Sequence, residues 1–190
     1  MDLSKVSKGG QIFAASGLVY FIASLLPWYS IPDEFAILGI PTSFNAWGDI
    51  GFLWGSLWAL LLLAGAVLVA LPAFGVKAPK LPEVAFLVVA GLATLFTLLK
   101  LLVGESDPIS ASFGIFLAVI AAGGAAFGAF LMFKESGGDL NDLKDVNKLK
   151  SQFGVAGNAG GAAAPPPPPP PPAPGSTPPP PPPPPPPPAP

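Results

Sequence analysis

The sequence has no cysteine, no histidine and no arginine. Without cysteine there are no disulfides, no thiolate nucleophile and no cysteine-held iron–sulfur cluster. Without histidine the commonest metal ligand and the usual base near neutral pH are missing. A serine–histidine–aspartate triad and a thiol enzyme are both excluded. Without arginine the forked, bidentate grip on phosphate is lost. Charge of either sign is scarce, at 11% of residues against about a quarter in a soluble domain. The net charge of −2 gives no basic field for nucleic acid, which is not an expected partner.

A chain so poor in charge cannot cover a globule with solvated groups, and hydrophobic residues make up 51% of it. Four apolar runs stand out, at about 12–28, 52–74, 82–103 and 109–133. A helix needs roughly 17 to 25 apolar residues to cross the hydrocarbon layer, and each run is read as a span. None shows the polar stripe of a soluble helix. The first run follows a basic start, as in a signal peptide, but it runs into Leu26, Pro27, Trp28 and Tyr29 without a small-residue cleavage site, so a retained span is expected.

The lysines set a direction. Lys5 and Lys8 precede the first run, Lys77 and Lys80 follow the second, and Lys134, Lys144, Lys148 and Lys150 follow the fourth. Only Lys100, of nine basic residues, falls on the other side. The positive-inside rule makes the lysine-rich side cytoplasmic, with both termini there. Lys100 lies near the end of the third run, where a long side chain is expected to reach the interface and pair with Glu105 or Asp107. No ionisable residue falls at the middle of a run, which weighs against an ion-coupled transporter. Trp28, Tyr29, Trp47, Trp54 and Trp58 gather near the outer side, as an aromatic belt does. The loop acids Asp33, Glu34, Asp49, Glu105 and Asp107 also lie there and offer at most a weak cation site; no metal or cofactor is expected.

Small residues line the fourth run. Gly124 and Gly128 form a small-xxx-small pair, and Ala121, Ala125 and Ala129 form a second ridge beside it. Such ridges let helix backbones approach closely. Two readings stand: an interface to a second copy of the chain, or packing within one bundle. Gly51 and Gly55 repeat the spacing at the start of the second run, with the same two readings.

Beyond the last run the composition changes twice. In 136–153, Leu140, Leu143, Val146, Leu149 and Phe153 recur every three or four residues, with Asp139 as N-cap, and a short amphipathic helix near the inner membrane surface is expected. From 154 a Gly/Ala stretch leads into proline runs bounded by Pro165 and Pro172 and by Pro178 and Pro188. Proline fixes φ and lacks an amide hydrogen, so the tail is expected to be disordered apart from two polyproline II rods. At about 3.1 Å per residue they measure roughly 25 and 34 Å. Such rods dock into aromatic grooves of partner proteins, or act as spacers.

Several stretches together carry a resemblance: MDLSKVSKGGQI before the first run, LLPWYS at 25–30, SFNAWGDIGFLW at 43–54, KAPKLP at 77–82 and SFGIFLAVIAAGGAAFGAFL at 112–131. They resemble a family of small actinobacterial membrane proteins with four spans and a variable, often proline-rich cytoplasmic tail. The resemblance covers roughly residues 1 to 135. It implies a bacterial plasma membrane, and carries no activity and no functional residues with it.

The expectation is therefore an all-α transmembrane four-helix bundle (1–135), a cytoplasmic amphipathic segment (136–153) and a disordered tail (154–190). The expected role is that of a non-enzymatic membrane anchor or scaffold whose partners are the lipid bilayer and a cytoplasmic proline-binding protein, with a homo-oligomer as a further assembly. A small channel or transporter subunit is the alternative.

Overall fold

The computed structural model describes residues 2–39, 41–48, 50–79, 81–106 and 108–139, the side chains of 36–38 excepted. The chain divides into Met1–Ala156 and Gly157–Pro190, and every described residue belongs to the first unit. The amphipathic segment beyond Asp139 and both proline rods lie outside the described residues.

Four α-helices occur among the described residues: α1 (Lys8–Leu25), α2 (Ser56–Ala70), α3 (Glu83–Val103) and α4 (Phe113–Glu135). Helix α2 continues as a 3₁₀ turn over Leu71–Phe74, which ends at Gly75 in the left-handed conformation. Three stretches are long and apolar enough to cross a membrane: Ser56–Phe74, Glu83–Val103 and Phe113–Glu135, of 19, 21 and 23 residues. At 1.5 Å per residue they span about 28, 31 and 35 Å, against a hydrocarbon layer of about 30 Å. These helices mark a membrane protein. Helix α1 has 18 residues, but its first turn holds Lys8 and Gln11, and it falls outside this set.

Local chemistry explains most helix ends. The Ser7 hydroxyl caps α1 by accepting from the Gly10 amide at 3.1 Å. At the far end Pro27 disfavours helical backbone at the residue before it, and Leu26 is extended. Pro82 opens α3, and Gly104, with φ of 66°, closes it. Two starts differ from the apolar runs. Gly51 has φ of 94°, which no helix tolerates, and residues up to Gly55 form turns, so α2 begins only at Ser56. Gly51 and Gly55 are thus not a helical ridge. Helix α4 begins at Phe113 rather than near Ile109, because Ser110–Ala111 is taken into a small sheet.

That sheet has three two-residue strands, β1 (Tyr29–Ser30), β2 (Ser43–Phe44) and β3 (Ser110–Ala111), in the order β2-β1-β3, with both pairings antiparallel. Tyr29 stands opposite Phe44 on one side and Ala111 on the other. The amides of Trp28 and Ile31 donate to Phe44 and Thr42, and those of Ser112 and Gly114 donate to Trp28 and Pro27. The loop between α1 and α2 therefore folds across one end of the helices.

Helix α1 packs against both α2 and α4, and α4 also packs against α3. Helices α2 and α3 also touch, less extensively. Aromatic rings bridge them: Trp54 and Trp58 lie 5.8 and 5.1 Å from Phe96 between centroids. The packing is inverted relative to a soluble protein. Its buried positions are largely alanine and glycine, among them Ala23, Ala59, Ala90, Ala93, Ala118, Ala122 and Gly17. Its large aliphatic side chains point outward, as at Leu18 (51% exposed), Leu95 (49%) and Ile120 (71%). Burying such a side chain from water stabilises by about 1.5–3 kcal/mol, so a coat of this kind is stable only against an apolar medium.

Candidate functional site

Gly124 and Gly128 of α4 face α1. Ala121, Ala125, Gly128 and Ala129 are buried and Gly124 is half-buried. A β-carbon at Gly128 would meet the Phe13 backbone nitrogen at 2.5 Å, and one at Gly124 would meet the Ser16 hydroxyl oxygen at 2.6 Å. The match is reciprocal, since a β-carbon on Gly9 would meet the Met132 nitrogen at 2.5 Å. The two backbones thus touch where both sequences are smallest. Pro165, Pro172, Pro178 and Pro188 lie outside the described residues.

The helix interior holds a few polar groups, each satisfied. The Thr97 hydroxyl donates to the Ala93 carbonyl at 2.7 Å, so its oxygen accepts from the buried Tyr20 hydroxyl at 2.8 Å. The Ser24 hydroxyl donates to Phe21 and accepts from the Trp47 indole at 2.9 Å. Among the described residues no buried side-chain nitrogen or oxygen lacks a partner.

Among the described residues, one charged side chain is buried, and it lies at the sheet end. Lys100 is 8% exposed, more enclosed than its position near the end of α3 suggested. Its ammonium pairs with Glu105 and stands 5.4 Å from the centroid of Tyr29 and 5.7 Å from that of Trp54. Ring faces are electron-rich, so both rings favour the cation. The Tyr29 hydroxyl donates to the Lys100 carbonyl at 2.7 Å, closing the last turn of α3. Burial, and then the negative charge of Glu105, push the Tyr29 hydroxyl up to about 12. It remains a neutral donor throughout the ordinary pH range. Neighbouring anchors fix the same end: the Trp28 indole donates to Ala23 at 2.9 Å, and the Ser56 hydroxyl donates to Ala46 at 3.0 Å.

A cavity of about 110 Å³ adjoins this cluster, lined by Tyr29, Phe44, Ile50, Glu105 and Ile109. Small-molecule sites run from about 300 Å³ upward, so this space suits a few waters rather than a substrate. Among the described residues no three acidic side chains stand together to hold a metal, and the carboxylate of Glu105 is engaged by Lys100. The arrangement works as a clamp on α3 and the sheet.

The opposite, lysine-bearing end is built differently. Its N-terminal 3₁₀ turn (Leu3–Lys5) is tied to the end of α2 by the Asp2 amide, which donates to Ala73 at 2.9 Å. The Glu135 carboxylate accepts from the Gly9 amide at 3.4 Å. Between these ties lies an open vestibule of about 680 Å³. Leu68, Val69, Phe86 and Met132 wall it, and Lys5, Leu81 and Glu83 stand among its lining. All four helices contribute to it, and no local pattern in the sequence announces it. The ring neighbours of Lys100 were equally hidden, because Tyr29 and Trp54 come from distant segments, whereas its expected pairing with Glu105 is present.

No protein-family model matches the chain, and neither curated proteins nor solved structures give a match.

Proposed function

We propose that the chain is a non-enzymatic integral membrane anchor that crosses the plasma membrane four times and presents its proline-rich tail to a cytoplasmic partner. The observation that carries this reading is the inverted packing. Helix α1 shares it, with Leu18, Val19, Ile22 and Leu25 exposed, although its polar first turn keeps it out of the set of evident spans. A helix with an apolar coat on its outer face and Tyr20 and Ser24 satisfied on its inner face suits lipid. Four spans return the chain to its starting side, in line with Lys5, Lys8, Lys77 and Lys134 standing at one end and Lys100 at the other. The resemblance to small actinobacterial membrane proteins supports a bacterial plasma membrane.

The small-residue interior favours anchoring, because alanine and glycine contacts leave each polar group committed to a neighbour. A preformed polyproline rod loses little entropy on docking, which suits recruitment. Affinity capture from membranes, with and without residues 154–190, tests the role. Loss of a defined set of proteins on deletion is expected. An unchanged set rules out recruitment by the tail.

A further inference from the structure

Between α1 and α2 runs an apolar groove of about 440 Å³, to which α3 and α4 contribute no side chain. Gln11 is its one polar lining residue among those described. The Gln11 amide nitrogen is already spent on the carbonyls of Leu3 and Val6, at 2.9 and 3.0 Å. We propose that this groove seats one acyl chain of an anionic phospholipid from the leaflet on the lysine-bearing side, with the lipid phosphate beside Lys8. The proposal rests on the reading of α1 as a span.

Shape, length and charge point to this occupant. Small residues give the groove its depth: Ala66 and Ala73 are buried, and Ala14 and Ala70 are half-buried. Its rim is large and apolar, with Leu3, Leu18, Val67 and Phe74 each more than half exposed. Such a surface is unfavourable in water and accepts an apolar chain. Along α2 and its 3₁₀ extension the lining runs from Leu63 to Phe74, roughly 17 Å at the rises of the two helix types. That is close to half of a hydrocarbon layer of about 30 Å, the reach of one leaflet.

Charge stands at one end of the groove. Lys8, Gln11, Ala15 and Leu18 follow one another on one side of α1, so Lys8 lies one turn beyond the groove lining. Lys5 belongs to the same 3₁₀ turn as Leu3, and Lys77 follows Phe74 by three residues. All three lysines are exposed, and among the described residues none of them is in an ion pair. The acid nearest in sequence to Leu3, Asp2, accepts from the Ser4 amide and hydroxyl. Glu83 and Glu135 belong to α3 and α4, and neither lines the groove. An anionic headgroup therefore meets ammonium groups where the chain it carries enters the groove.

Native mass spectrometry of the full chain in detergent, titrated with phosphatidylglycerol or with phosphatidylcholine of the same acyl chains, tests the seat. One retained phosphatidylglycerol is expected, in preference to phosphatidylcholine. Ala15→Phe fills the groove from its exposed side and should weaken retention at least about tenfold, the worth of two buried methylenes. Lys8→Gln should lower the preference about fivefold, the worth of one lysine beside an anionic lipid surface. Lys134→Gln, at the same end but on α4, should leave it unchanged. Tryptophan emission checks folding, and Val67→Trp, at a second exposed rim position, replaces Ala15→Phe if that variant does not fold. Equal retention of the two lipids, retention that survives the filled groove, or equal losses from Lys8→Gln and Lys134→Gln overturns the proposal. Dimers that Ala15→Phe abolishes assign the groove to a second copy and also overturn it. A spin label at Leu18→Cys that meets water rather than lipid refutes the span and the seat with it, whereas a lipid-facing label without selective retention overturns the seat alone.

Discussion

The two ends of the helices are built on opposite plans. At the sheet end, hydrogen bonds join residues far apart in sequence, such as Tyr29 to Lys100 across 71 positions and Trp47 to Ser24 across 23. A buried ammonium is enclosed there by a carboxylate and two rings. At the lysine-bearing end the ties among the described residues are fewer, and they leave a space of about 680 Å³ between them. Regions with few buried contacts are where proteins move and bind. Rigidity thus lies on one side and accessible surface on the other, with the alanine and glycine core holding the two in register.

The core between them carries the largest expected effect. Gly128→Leu forces a side chain into the α1 backbone and is expected to cost at least about 3 kcal/mol, in the range of severe overpacking. Thermal unfolding in detergent should show it, while Gly123→Ala, with nothing within 4 Å of the added carbon, should leave the midpoint unchanged. Equal effects at the two positions would remove the α1–α4 contact from the account.

The sheet end should respond next. Glu105→Gln leaves Lys100 without its counter-ion. The carboxylate side chain is one-third exposed, so the cost is expected to be roughly 1–2 kcal/mol rather than the full penalty of a buried pair. Adding Lys100→Met should restore part of that loss. If the double variant is the weaker one, the ammonium is not held as described.

Tyr29→Phe removes one hydrogen bond to α3, for about 1 kcal/mol. In a Tyr20→Phe background Tyr29 is the sole tyrosine, and its phenolate absorbance should rise near pH 12 rather than near the usual value of about 10. The fold favours the neutral hydroxyl. Its contribution is therefore complete below about pH 10 and is lost as the pH rises through about 12. A titration near 10 would place the hydroxyl in solvent.

The smallest effect belongs to the open end. Leu81→Ser at the vestibule is expected to shift stability by less than about 0.5 kcal/mol, as measured by the same unfolding. A large loss there would mean that both ends are equally tied.

Part of this arrangement is legible in the chain itself. Long apolar runs locate the helices, since span length and hydrocarbon thickness are matched by physics. The ridge of Gly124 and Gly128 is equally readable, but its partner is not. Gly9 and Gly10 sit beside charged Lys8 and look like a lead-in, although the helix begins at Lys8. The sheet escapes because two-residue strands have no periodicity, and their register comes from pairing Tyr29 with residues of two other loops. The pairing of Lys100 with Glu105 is readable from their spacing, but nothing nearby in sequence marks Tyr29 and Trp54 as the rings beside the ammonium. The expected pair at Gly51 and Gly55 fails on one dihedral angle, the positive φ of Gly51.

Helix α1 is the point on which the anchor reading turns. Spin labels at Leu18→Cys, Leu61→Cys, Leu95→Cys and Ile120→Cys, one exposed site on each helix, report contact with lipid through collisions with oxygen, and contact with water through collisions with a polar nickel chelate. All four labels should favour oxygen in reconstituted bilayers. A label at Leu18 that favours the chelate, while the other three favour oxygen, would show that α1 lies outside the lipid and would contradict the four-span anchor.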